Sequence, residues 1–162
     1  MPEIELKLKS LECLKQSEKE SDEIYLLVEE ELFGQEEKTH RFPENDPQYW
    51  EMKAGETKET ELTIYRGAIE GPSSFELDFR EDDSAGLSSI PVFGKFLNKG
   101  IDEVQENEVG ELKIFFDKDG NPTWKTGDDA LEANGAEGNE RIYHLRGAKA
   151  HYKALISATK VG

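Results

Sequence analysis

The chain has few of the residues on which thiol, zinc and phosphate chemistry depend. Its one cysteine, Cys13, has no partner for an internal disulfide. Cys13 follows Leu11 by two positions, which predicts a small apolar core residue rather than a reactive thiol. The three histidines show no zinc-ligand spacing, and no nucleophile elbow, phosphate-binding glycine loop or dinucleotide fingerprint is present. We therefore predict that the protein is not an enzyme.

Long apolar runs and basic residues are also scarce. No segment approaches the ~20 apolar residues of a membrane-spanning helix, and the first ten residues lack the basic start and apolar core of a secretory signal, which predicts a cytoplasmic protein. The 36 acidic residues outnumber the 20 lysines and arginines, giving a net charge of −16. Such a surface repels nucleic acid and anionic lipid, whereas it attracts cations and basic protein partners.

What the chain does contain is repeated alternation of apolar and polar residues. Glu3–Lys9 and Phe75–Arg80 alternate with a period of two, and Leu112–Phe116 resumes the pattern. A change of phase between Leu8 and Leu11 predicts a β-bulge or a bend. Residues 1–162 are expected to form a single domain. Because strands dominate and amphipathic helices are absent from the pattern, we predict an all-β fold, an antiparallel β-sandwich of about eight strands.

Residues 84–106 interrupt this rhythm as one long loop insertion. Its centre, Ile90–Leu97, is the most apolar loop segment of the chain. Pro91 suits the first turn of a helix, so a short helix over Phe93–Leu97 is predicted and the insertion is expected to be partly helical. Near the C-terminus, His144 and His151 lie on the two arms of a predicted hairpin, which indicates a cross-strand pair.

Acidic residues cluster at the predicted strand ends, and they are the main functional signal. If these loops meet at one end of the sandwich, several carboxylate oxygens converge, and calcium needs six to eight such hard ligands. The sequence therefore predicts a Ca²⁺ cofactor, with solvated acidic loops as the alternative. The candidate metal ligands are Asp22, Glu23, Glu81, Asp83 and Glu108.

Around these residues the sequence resembles the C2 domain, a calcium- and lipid-binding β-sandwich. Asp22-Glu23-Ile24-Tyr25 is similar to the acidic step that leads into a C2 strand, although the Asp-Pro of that pattern is replaced. Glu81 and Asp83 are similar to its alternating acidic pair, and Glu108-Val109-Gly110 to its closing step. The likeness spans roughly residues 4–116, and the segment after Gly120 has no C2 equivalent. The resemblance implies a C2-like sandwich that binds calcium through these loops.

The resemblance also implies that apolar loop tips beside the ion contact a membrane once calcium is bound. Three interpretations of the Ile90–Leu97 segment stay open at this point: a cap on the core, a calcium-dependent lipid contact, or an interface with a protein. The candidate contact residues are Ile90, Val92, Phe93, Phe96 and Leu97.

Two functions follow from these observations. The first is a non-enzymatic binding module that is calcium-dependent through its acidic loops. The alternative is an acidic interaction protein, of inhibitor or immunity type or a subunit of an assembly, that binds a basic protein partner without metal. Both imply a protein partner, and neither involves nucleic acid.

Overall fold

The computed structural model describes residues 1–17, 20–82, 107–133 and 138–161. Within these ranges the chain forms twelve β-strands and no helix. The strands in chain order are β1 (Glu3–Lys15), β2 (Asp22–Glu31), β3 (Lys38–Phe42), β4 (Trp50–Met52), β5 (Thr57–Lys58), β6 (Leu62–Ala68), β7 (Ser73–Glu81), β8 (Glu108–Phe116), β9 (Pro122–Thr126), β10 (Ala130–Ala133), β11 (Glu140–Leu145) and β12 (His151–Lys160). The predicted all-β class is confirmed.

The strands form two antiparallel sheets of six. Sheet A has the order β10-β11-β12-β1-β5, and β6 pairs with another part of β1. Sheet B has the order β3-β2-β7-β8-β9, and β4 pairs with β2 beyond the end of β3. The long strands β1 and β2 are central because each pairs on both edges along its length.

The inward faces of the two sheets share one hydrophobic core, giving a sandwich-like arrangement. The ring of Tyr65 in sheet A lies 5.2 Å from that of Phe75 in sheet B, and Trp124 of sheet B lies 6.0 Å from Tyr143 of sheet A. Leu, Ile and Phe side chains dominate this layer, and burying each of them contributes about 1.5–3 kcal/mol. Cys13 lies fully buried among them as a free thiol, as predicted.

The phase change in the first strand is a register shift between Leu8 and Ser10 opposite β12. Leu8 and Leu11 are three positions apart, yet both are fully buried, because the irregularity at Lys9 returns the strand to its original face. The predicted bulge is therefore confirmed. It allows one strand of 13 residues to hold together three partners of sheet A.

The expected number of about eight strands is too low. The strands missed at the sequence level are short ones, such as β3, β5 and β10, which have two to five residues. At a sheet edge, backbone hydrogen bonds suffice to form such strands, so no apolar alternation reveals them. The helix predicted over Phe93–Leu97 lies outside the described residues.

Among the residues that the structure describes, no helix is long and apolar enough to cross a membrane.

Candidate metal centre

Three carboxylates meet on the outer face of sheet B. Asp78 belongs to β7, and Glu108 and Glu111 belong to the neighbouring strand β8. One carboxylate oxygen from each of the three residues lies within 4.8 Å of the other two. The outer position of Asp78 follows from the strand pattern, because its neighbours Leu77 and Phe79 point into the core.

A β-bulge brings Glu108 to this face. Asp78 is opposite Glu111, and Arg80 is opposite Glu108. Asp78 and Arg80 are two residues apart, whereas their partners are three apart, because the register shifts between Phe79 and Arg80. In a regular strand, positions three apart point to opposite faces. The additional residue in β8 therefore places both glutamates on the same side.

The cluster is largely shielded from water. Glu108 is 7% exposed, and the side chain of Asp78 is 15% exposed. Oδ1 of Asp78 and Oε1 of Glu108 are buried and have no hydrogen-bond partner among the described residues. Because a buried carboxylate oxygen without a partner is costly, each such atom needs an explanation such as a proton, a water or an ion.

Arg80 partly compensates for the negative charge. Its Nη2 lies 2.5 Å from Oδ2 of Asp78, and its Nε donates a 2.8 Å hydrogen bond to the same oxygen. The guanidinium therefore holds Asp78 in place by one oxygen and leaves the other, Oδ1, for a further ligand. One arginine charge facing three carboxylates leaves the cluster with excess negative charge when all three are ionised.

Burial and mutual repulsion favour the protonated forms of two of these carboxyls. Burial, followed by the neighbouring Glu111 and Asp78, raises the pKa of Glu108 to about 8. Burial also raises the pKa of Asp78 to about 6, although Arg80 opposes this shift. A proton therefore resides in the cluster at neutral pH, and a cation that binds there competes with it.

A second arginine extends the buried polar layer on the same face. The guanidinium of Arg41 lies 3.9 Å from the centroid of the Tyr25 ring, and Tyr25 is opposite Arg80 in the neighbouring strand. Nη2 of Arg41 lies 3.7 Å from Oδ2 of Asp82, and both nitrogens Nε and Nη2 donate to the carbonyl of Gln48. Burial raises the pKa of Tyr25 to about 12, so the phenol stays neutral between the two arginines.

Asp22, the first ligand predicted from the sequence, lies between the two sheets. It is fully buried, and its carboxylate accepts hydrogen bonds from the backbone and hydroxyl of Ser17 and from the hydroxyl of Tyr152. Because these donors satisfy the Asp22 carboxylate, we assign it a structural role. Asp22 shares the inner face with Ile24, on the opposite side of sheet B from the three-carboxylate cluster.

The other predicted ligands are divided between the two faces of sheet B. Glu81 is opposite the buried residue Ile24 and faces inward, whereas alternation places Glu23 on the outer face. Glu108 is the one residue of the predicted set that belongs to the three-carboxylate cluster. Asp83 lies outside the described residues, as do Ile90, Val92, Phe93, Phe96 and Leu97.

Asp78 and Glu111 were not among the residues predicted from the sequence. Both occupy polar positions of alternating strands, where a carboxylate ordinarily faces water, so nothing in the local pattern distinguishes them. The one available signal was the Val109-Gly110 step, because a glycine inside a strand often marks a bulge.

Comparison with known proteins adds no family to these observations. No protein-family model matches the chain, and no curated protein has a similar sequence. The chemistry of this site is therefore argued from its own residues.

Proposed function

We propose that the protein is a non-enzymatic binding module that takes up a calcium ion at Asp78, Glu108 and Glu111. The observation that carries this proposal is the convergence of three carboxylate oxygens within 4.8 Å of one another on a water-shielded face. An oxygen-only ligand set suits hard cations. A bound ion also satisfies the two buried oxygens, on Asp78 and Glu108, that lack donors among the described residues.

The number of carboxylates favours calcium over magnesium. Magnesium demands near-ideal octahedral geometry, keeps several waters and is usually bound through one or two carboxylates, whereas calcium takes six to eight oxygen ligands. Three carboxylates that meet within 4.8 Å therefore suit calcium better. Calcium also accepts irregular geometry and both monodentate and bidentate carboxylates, which suits a site with three carboxylate ligands.

Calcium binding would change how this acidic surface meets a partner. The ion places two positive charges on a chain of net charge −16, which lowers repulsion towards acidic surfaces near the site. The C2 resemblance implies the same order of events. We therefore propose that the module is C2-like and that it binds lipid or protein after it has bound calcium. Contact through Ile90, Val92, Phe93, Phe96 and Leu97 remains a prediction.

Calorimetric titration of metal-free protein with calcium tests the proposal. We expect Glu111→Gln to weaken calcium binding at least about tenfold, or ~1.4 kcal/mol, because it removes the negative charge of a ligand that belongs only to the three-carboxylate cluster. Glu23→Gln is the matched control, since Glu23 belongs only to the set predicted from strand ends. Loss of affinity in the Glu23 variant with none in the Glu111 variant would move the site to the strand ends. Absence of heat at millimolar calcium would refute both.

A groove at the opposite end of sheet B favours a second candidate function, an acidic interaction protein that binds a basic partner without metal. Phe33 and Phe115 are 54% and 38% exposed and line a groove of about 510 Å³ together with Glu31 and Asp117. Ser74, opposite Phe115, is six strand positions from Arg80, or ~20 Å. Apolar rings beside carboxylates match a partner segment that presents lysine or arginine around an apolar side chain.

Binding of a lysine-rich peptide with one central leucine, measured in EDTA, tests this second function. We expect the affinity to fall steeply with added salt, because surface charges provide the attraction. Phe33→Ala should weaken binding, whereas Leu131→Ala should not, because Leu131 is an exposed apolar residue of sheet A. Equal binding by both variants and the parent protein would exclude the groove.

A further inference from the structure

A pair of histidines, His144 and His151, lies on the outer face of sheet A. Their neighbours Tyr143, Leu145 and Tyr152 are buried in the core, so alternation turns both imidazoles outward. His144 of β11 is opposite Lys153 of β12, and His151 lies two residues before Lys153 on the same strand. Nδ1 of His144 lies 2.8 Å from Nε2 of His151, and the two ring centroids are 5.0 Å apart.

We propose that His144 and His151 form a chelating site for a divalent copper ion. Two nitrogens that bind one ion at ~2.0 Å and at a right angle are ~2.8 Å apart, and this is the cis arrangement of the square-planar geometry that Cu²⁺ prefers. The observed separation is 2.8 Å. In the metal-free pair this is a hydrogen-bond distance, so the choice of copper over zinc follows from affinity, because nitrogen ligands bind Cu²⁺ more strongly than Zn²⁺.

The protons of this site balance without any group being lost. In the metal-free pair, the N–H of one ring donates a hydrogen bond to the facing, unprotonated nitrogen of the other ring across the 2.8 Å contact. When copper binds, that proton moves to the far nitrogen of the same ring, and both facing nitrogens present lone pairs. Burial, with Arg146 and His144 adding to it, lowers the pKa of His151. This shift acts in the direction that metal binding requires, because a ligand imidazole must be neutral.

Two neighbouring lysines influence which type of ion can bind to the histidine pair. Lys153 is opposite His144 and Lys15 is opposite His151, so a cation held only by electrostatic attraction is disfavoured here. Copper forms strong bonds to imidazole nitrogen, and both lysines sit at the solvent-facing surface, where salt screens their repulsion. The two histidines offer no oxygen ligand to a calcium ion. The histidine pair and the carboxylate cluster therefore differ in the ion that they bind.

Titration with copper sulfate near neutral pH, followed by calorimetry and pulsed electron paramagnetic resonance, tests the proposal. We expect His144→Ala and His151→Ala each to weaken copper binding at least about tenfold, because the tethered second ligand is lost. His40→Ala is the matched control and should bind as the parent protein does, since His40 lies in sheet B beside Glu30.

The resonance spectrum of the unsubstituted protein provides a readout that does not depend on the folding of any variant. Two coupled imidazoles are expected for the chelate, whereas copper held by carboxylates elsewhere gives none. A spectrum with one imidazole or none overturns the proposal. Folded His144→Ala and His151→Ala proteins that bind copper as tightly as the parent overturn it as well.

Discussion

The hydroxyl of Tyr152 donates a 2.7 Å hydrogen bond to the carboxylate of Asp22 across the interior of the protein. Tyr152 belongs to sheet A and Asp22 to sheet B, so this bond connects the two sheets. Both residues are fully buried. Burial, followed by the hydrogen bonds with Cys13 and Asp22, raises the pKa of Tyr152 far above its usual value, and the phenol therefore stays a donor at every ordinary pH.

Tyr152→Phe should lower the free energy of unfolding by about 1–3 kcal/mol, because it removes one donor from a buried carboxylate. Urea denaturation at neutral pH measures the change. Tyr65→Phe is the control, since its hydroxyl donates to the carbonyl of Ala68 in an exposed hydrogen bond, and we expect at most about 0.5 kcal/mol there. Equal effects in the two variants would show that the bond between the sheets contributes little.

The stability of the metal-free protein should fall as pH rises through the window set by Glu108. Its pKa is raised from 4.5 to about 8 in the folded protein. Between these values the folded state holds a proton that the unfolded chain releases, so the slope of stability against pH is negative. Denaturation in EDTA at several pH values measures the slope. Glu108→Gln should flatten it, and an unchanged slope would place the titrating group elsewhere.

Calcium should counteract this decline if the three-carboxylate cluster is its site. Because the ion takes the place of the proton on Glu108, it binds more tightly as the pH rises towards 8. Thermal unfolding in millimolar calcium should therefore show the largest gain in Tm at the alkaline end of the range. A gain that is the same at all pH values would mean that calcium binds without displacing a proton.

Glu29 and Glu76 are opposite each other in neighbouring strands of sheet B. Burial, then Glu76 and Glu37, raises the pKa of Glu29 to about 7. Glu76→Gln should stabilise the protein by about 0.2–1 kcal/mol at pH 8, where both carboxylates are otherwise charged. The gain should vanish near pH 4, where Glu29 is protonated. Glu59→Gln removes an exposed charge of the same sign and controls for the lower net charge.

Gly147 follows β11 and lies against the backbone of β8 at Glu108 and Val109. A β-carbon at this position would collide with the backbone oxygen of Glu108, and the amide of Gly147 donates a 2.8 Å hydrogen bond to the carbonyl of Val109. Gly147→Ala should cost about 1–3 kcal/mol of stability through overpacking and weaken calcium binding. Gly67→Ala is the control, because its β-carbon would first meet the hydroxyl end of the Tyr65 side chain at 3.0 Å rather than a backbone atom.

The sequence alone determined the parts of this protein that depend on near neighbours in the chain. Alternation in β1, β7 and β8 predicted the all-β class, and the phase change before Leu11 predicted the bulge in β1, because a strand shows its buried face every second residue. The pairing of His144 with His151 was also predictable, since only a short turn separates their strands.

The candidate metal centre was decided by the tertiary structure. Asp78 and Glu111 look like ordinary solvent-facing strand residues, and what joins them is the register of β7 against β8. Likewise, Asp22 was predicted to be a metal ligand in a loop, yet packing of the two sheets places its carboxylate within hydrogen-bond distance of the Tyr152 hydroxyl. Register between strands that are far apart in the chain is set by how the whole core packs and where a bulge is accommodated. Local alternation does not contain this information, so the sequence showed the strands but not which carboxylates meet.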